Sequence, residues 1–127
     1  MSFAHLTLAT RDVAGTSAFF QATLGWRPVR QPGNVPLEAD WLEIGPGQQI
    51  HLLHVADFEP SPFEQEFGRH VALFHPGDDF EALRARLVEQ GAELVAPIRE
   101  TPFPRFFFRD PNGYLFEVID REAWVRE

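Results

Sequence analysis

At 127 residues, with 44% apolar side chains that include 13 Phe, the chain can bury a core as one compact domain. Eleven basic against nineteen acidic residues set its net charge at −8, a poor electrostatic match to nucleic acid or to an anionic membrane. Cysteine is absent and every basic residue is arginine, which removes disulfides, thiolate nucleophiles, cysteine-rich zinc sites and lysine Schiff-base chemistry.

No apolar run approaches membrane-spanning length, and the first residues lack the basic-then-apolar pattern of a secretion signal. A soluble cytoplasmic protein is therefore expected. Ser2, Ser17 and Ser61 are the only serines, none lies in a G-x-S-x-G turn, and no phosphate-cradling glycine loop is present.

In chain order, "SFAHLTLAT" alternates as a half-buried strand does. "RDVAGTSAFFQATLGW" then takes a helical period through Val13, Thr16, Phe20 and Leu24, with Asp12 placed to cap the start and Gly25 the end. Three short strands follow, "WRPVR", "ADWLEI" and "QQIHLLHV", the last two joined by a turn at Gly45-Pro46-Gly47. The segment "ADFEPSPFEQEFG" reads as a polar connector, covering residues 56–68. Beyond it the order repeats. "RHVALFH" is a strand, and "DDFEALRARLVEQG" is a helix with Phe80, Leu83 and Leu87 on one face. "AELVAPI", "PRFFFRD" and "YLFEVID" are strands, the last two joined through Pro111-Asn112-Gly113.

The two halves, about 1–55 and 69–127, overlay at an offset of 65 or 66 residues: His5 on His70, Asp12 on Asp78, Gly25 on Gly91, Trp41 on Phe107, Gly47 on Gly113 and His51 on Glu117. The expected architecture is α+β, two βαβββ modules within a single domain.

Side-chain alternation sends Leu6/Leu8, Ile50/Leu52, Val71/Leu73 and Phe116/Val118 toward the helices, and His5, His51, His70 and Glu117 to the opposite face. A lone strand histidine is more often an ordinary half-buried residue. Four ligand-type side chains at equivalent addresses of a duplicated unit point instead to a divalent metal, held by nitrogen and oxygen. Two His with a carboxylate suit Fe(II), and Mn, Ni or Zn fit as well. His51 is then a fourth ligand or a general base, its ordinary pKa lying near neutrality. His54 and His75 share parity with the helix-facing aliphatics and receive no role. If both hairpins have three-residue connections, Trp41 lies opposite His51 and Phe107 opposite Glu117. Arg105 and Arg109 share the face of Phe107, and the four residues make a candidate substrate wall for an organic anion. Against that stands a plain reading in which the aromatics are core and the arginines solvated.

"HLTLATRDV" with "FFQATLGW", "IHLLHV", "RHVALF" and above all "FFFRDPNGYLFEVID" resemble the vicinal oxygen chelate superfamily of glyoxalases, fosfomycin- and bleomycin-resistance proteins and extradiol dioxygenases. The resemblance implies a curled mixed sheet around a central metal cup, ligands at His5, His70 and Glu117, and a homodimer. The position of His51 is a ligand in glyoxalases, often a glutamate that also moves protons, and is not a ligand in the dioxygenases. Ala9 stands where glutathione-dependent members often carry arginine. The missing lysines and short length argue against a fosfomycin transferase or a two-domain dioxygenase. The ligand positions, all retained, argue against a metal-free drug-sequestering protein. The leading expectation is a metal-dependent lyase or isomerase in which His51 or Glu117 moves a proton. Alternatives are an Fe(II) extradiol-type dioxygenase and a non-catalytic binding protein of the same fold.

Overall fold

The computed structural model describes residues 1–125, which form two compact units, one spanning Met1–Glu59 and one beginning at Pro60. The first runs β1 (His5–Thr10), α1 (Val13–Leu24), β2 (Arg27–Val29), β3 (Ala39–Gly45) and β4 (Gln48–His54). The second runs β5 (Val71–His75), a 3₁₀ turn at Gly77–Asp79, α2 (Phe80–Glu89), β6 (Glu93–Val95), β7 (Arg105–Arg109) and β8 (Leu115–Asp120). Each is a βαβββ unit with one four-stranded mixed sheet. The strand orders, β1-β4-β3-β2 and β5-β8-β7-β6, are the same order written twice. In each, the first strand lies parallel to the last and the hairpin strands pair antiparallel.

Local chemistry explains the boundaries. The Asp12 carboxylate accepts from the Gly15 amide at 2.9 Å and caps the first free donors of α1. Gly25 ends that helix at φ 71°, a left-handed turn that a side chain would strain. Val13, Thr16, Phe19, Phe20 and Thr23 are buried on α1, which packs on β3 and β4 over Leu42, Ile50 and Leu52. Leu24, read as part of that face, is only half-buried; Phe19 and Thr23 fill the space instead. In the second unit Phe80, Leu83 and Leu87 are buried on α2 as their spacing predicts, and Phe106, Phe108, Phe116 and Val118 complete the core.

The hairpin registers match expectation by different means. Trp41 pairs with His51 and Phe107 with Glu117. In β7–β8 the connection is the expected Pro111-Asn112-Gly113, closed by Asp110 and Tyr114. In β3–β4 Gly45 already pairs with Gln48, so the turn itself is two residues, Pro46-Gly47. A bulge between Glu43 and Gly45 restores the register.

The segment read as a polar connector is built into the second unit from residue 60 onward. The Arg69 amide donates to the Phe63 carbonyl at 2.7 Å. At Gly68 a Cβ would lie 2.2 Å from that same carbonyl oxygen, so only glycine fits the close approach.

Candidate functional site

The parallel pairings put the ligand-type residues on matching diagonals. His51 on β4 lies beside Thr7, two residues beyond His5. Glu117 on β8 lies beside Ala72, two residues beyond His70. The duplication is therefore geometric as well as sequential, and each unit brings one pair together.

In the first unit the pair is part of a ring stack. The His5 and His51 ring centroids are 4.0 Å apart, and Trp41 lies on His51 at 3.7 Å with the planes 11° from parallel. His51 is buried, while His5 is exposed. The His51 Nε2–H donates to the Gln49 Oε1 at 2.8 Å, which leaves the lone pair on Nδ1. Burial, and then the neighbouring His5, hold the His51 pKa below the usual histidine value, so the ring is neutral at pH 7. The Trp41 indole Nε1 is buried and has no partner among the described residues.

In the second unit the His70 Nδ1 faces the Gln65 carbonyl at 3.3 Å and Nε2 faces the Glu117 Oε1 at 3.2 Å, so each ring nitrogen meets an oxygen acceptor. A neutral imidazole has a single N–H. It can donate to one of the two oxygens and turns a lone pair to the other; with the hydrogen on Nδ1, a metal ion between Nε2 and the Glu117 Oε1 would complete the set. The 3.2 Å spacing fits an N–H···O hydrogen bond, and it fits a shared cation as well, since neighbouring ligands each about 2.1 Å from one ion lie about 3 Å apart. A backbone carbonyl fixing the tautomer from behind is the usual support of a ligating imidazole.

The Glu117 Oε2 accepts from Arg105 at 3.0 Å. Arg105 is buried and also donates to the Glu66 Oε2 at 3.0 Å and to the Arg99 carbonyl. Glu66 accepts from the amides of Ile98 and Arg99 at 2.6 and 2.9 Å. Burial would raise the Glu66 pKa, but those amides and the guanidinium outweigh it and bring it down to about 2. Phe107 is fully buried, with His70 edge-on at 5.3 Å and the Arg105 guanidinium 5.2 Å from its ring centroid. Arg109 donates to the Glu64 carbonyl at 2.9 Å.

The four residues read as a substrate wall therefore divide. Phe107 is core, and both arginines hold partners inside their own unit, although the Arg105 Nε–H has no partner among the described residues. Trp41, half-buried, is the one whose sole polar atom is unused. Among the described residues, no three His, Cys, Asp or Glu side chains lie together as a metal-holding group; the donors come in twos. His54 is exposed and His75 pairs with Asp79 at 2.8 Å.

Sequence reasoning missed Glu64 and Glu66. Glu64 is buried, accepts from Arg69 at 2.8 and 2.9 Å, and takes the Leu115 amide at 2.8 Å. The signal was the alternation "FEQEF", with both acids turned inward and Phe63 and Phe67 outward.

A βαβββ unit built twice with one strand order is the fold of the glyoxalase-like class. The chain belongs to the Glyoxalase/Bleomycin resistance protein/Dioxygenase superfamily, whose sequence profile matches residues 2–118. It is 28% identical to Glyoxylase I 4 of Arabidopsis thaliana over 96% of this chain and 72% of that protein. Two solved structures share the fold. One is a glyoxylase/bleomycin resistance protein/dioxygenase domain from Frankia sp. EAN1pec, at TM-score 0.74 and 22% identity over 94% of this chain and 90% of that one. The other is a point mutant of the fosfomycin resistance protein FosX from Listeria monocytogenes, complexed with Mn(II) and 1S,2S-dihydroxypropylphosphonic acid. It matches at TM-score 0.76 and 18% identity over 94% of this chain and 89% of that one.

Proposed function

We propose that the protein is a divalent-metal-dependent enzyme of lyase or isomerase type, acting on a small substrate with two neighbouring oxygens. His5, His70 and Glu117 would hold the ion, and His51 would move the proton. The observation that carries this reading is the His70–Glu117 pair, an imidazole nitrogen 3.2 Å from a carboxylate oxygen, with the Gln65 carbonyl placed to accept Nδ1–H when Nε2 takes a cation. A bound cation would supply Lewis acidity, polarising the substrate oxygens and lowering the cost of charge that develops on them.

The chain's own residues would do the rest. His51, neutral and with Nδ1 unprotonated, accepts a proton from substrate and returns it, while Gln49 holds the ring by its other nitrogen. Trp41 keeps that ring in plane. Phe107 backs His70 and excludes water behind it. Manganese is the first metal to try, given the Mn(II) in the FosX complex. Superfamily precedent favours a homodimer, which sedimentation mass would test.

Metal-stripped protein loaded with Mn(II) should retain one ion per chain by mass spectrometry. His5→Ala, His70→Ala and Glu117→Ala should each lose most of it. Unchanged stoichiometry in all three variants would sink the reading.

A further inference from the structure

We infer that Glu66 and Arg105 are positioning residues that keep one oxygen of Glu117 free for a cation. This rests on the metal reading above.

A guanidinium beside a carboxylate ordinarily takes both oxygens in a two-point fork. Arg105 does not. Its NH1 donates to the Glu117 Oε2 alone, because NH2 is drawn the other way to the Glu66 Oε2 at 3.0 Å and to the Arg99 carbonyl. Glu66 is itself fixed, each carboxylate oxygen accepting a backbone amide, at Ile98 and Arg99. The three charged side chains are enclosed, with Arg105 4%, Glu66 8% and Glu117 9% exposed, so water cannot readily substitute for a lost partner. Glu66 thus splits the guanidinium between two acids and leaves the Glu117 Oε1 turned to His70. The residue before Glu66 acts on the other ligand, since the Gln65 carbonyl lies 3.3 Å from the His70 Nδ1 and accepts its hydrogen when Nε2 faces a cation. Two consecutive positions of one strap therefore orient both donors of the second unit. Without Glu66 the guanidinium would close on both oxygens of Glu117 and compete with the cation for Oε1.

Titration calorimetry of Mn(II) into metal-stripped wild type, Glu66→Gln, Arg105→Lys and Glu64→Gln tests this. Glu66→Gln keeps shape but loses charge, and lysine at 105 reaches only one acid. Both should bind Mn(II) about 10- to 100-fold more weakly, the range for lost support behind a metal ligand. Glu64→Gln breaks the same strap's other anchor, to Arg69, without touching Arg105. It should lower the melting temperature yet bind within about threefold of wild type, well short of that range. Wild-type affinity in Glu66→Gln or Arg105→Lys overturns the inference while leaving the metal reading intact. Equal weakening in Glu64→Gln also overturns it, since the strap would then matter only for folding. Wild type that binds no Mn(II), Fe(II), Ni(II) or Zn(II) overturns both.

Discussion

His51 shows how much chemistry a single strand position carries. Its ring lies between Trp41 and His5, it shares one nitrogen with Gln49, and it is buried in a chain where most histidines are not. Because its pKa is depressed, the ring gains a proton only below the usual value of 6.5. A protonated imidazole quenches a stacked indole, so the fluorescence of Trp41 should fall on acidification with a midpoint below pH 6.5. His51→Gln should abolish that component; a midpoint above the usual value would contradict the burial argument. At Gly25, an added Cβ would meet nothing within 4 Å, but φ is 71°. Gly25→Ala should therefore cost about 1 kcal/mol through backbone strain alone, read as a shift in urea midpoint without a change in slope.

At the scale of elements, the strands and helices were legible because apolar periodicity and turn chemistry agreed. Asp12, Gly25, Gly47 and Gly113 each stand where a cap or a left-handed turn requires them. The shared face of His5, His51, His70 and Glu117 was legible for the same reason, since period two fixes a face; the diagonals came with the parallel strand pairings. The strap at 63–67 was not. It has no regular backbone pattern, and two acids in a polar stretch look solvated until the fold supplies Arg69, Arg105 and the amides of Ile98, Arg99 and Leu115. The roles of Arg105 and Arg109 escaped with it, because a guanidinium's partners lie beyond strand register. One consequence is measurable in acid. Ionised Glu66 favours the folded chain at every pH above about 4.5, and that contribution is lost as pH falls from there through about 2. Between those values, wild type should lose urea resistance more steeply than Glu66→Gln. On α2, Leu83 is fully buried, and Leu83→Ala should cost about 2–5 kcal/mol in the same assay.

For the whole molecule, the repeated strand order means that one frame is built twice from sequences that share few identities. What the copies hold in common is backbone geometry, and what separates them is charge. Arg105 on β7 pairs in register with Ile119, and the equivalent place on β3, opposite Leu53, belongs to Ala39. A carboxylate at position 51 would thus enter its buried spot with no guanidinium reaching it from β3, whereas Glu117 has one at 3.0 Å. An unpaired anion there would be driven to keep its proton; an uncharged ring needs no counterion. The bare methyl group at 39 is, in this sense, what favours histidine over glutamate on the neighbouring strand.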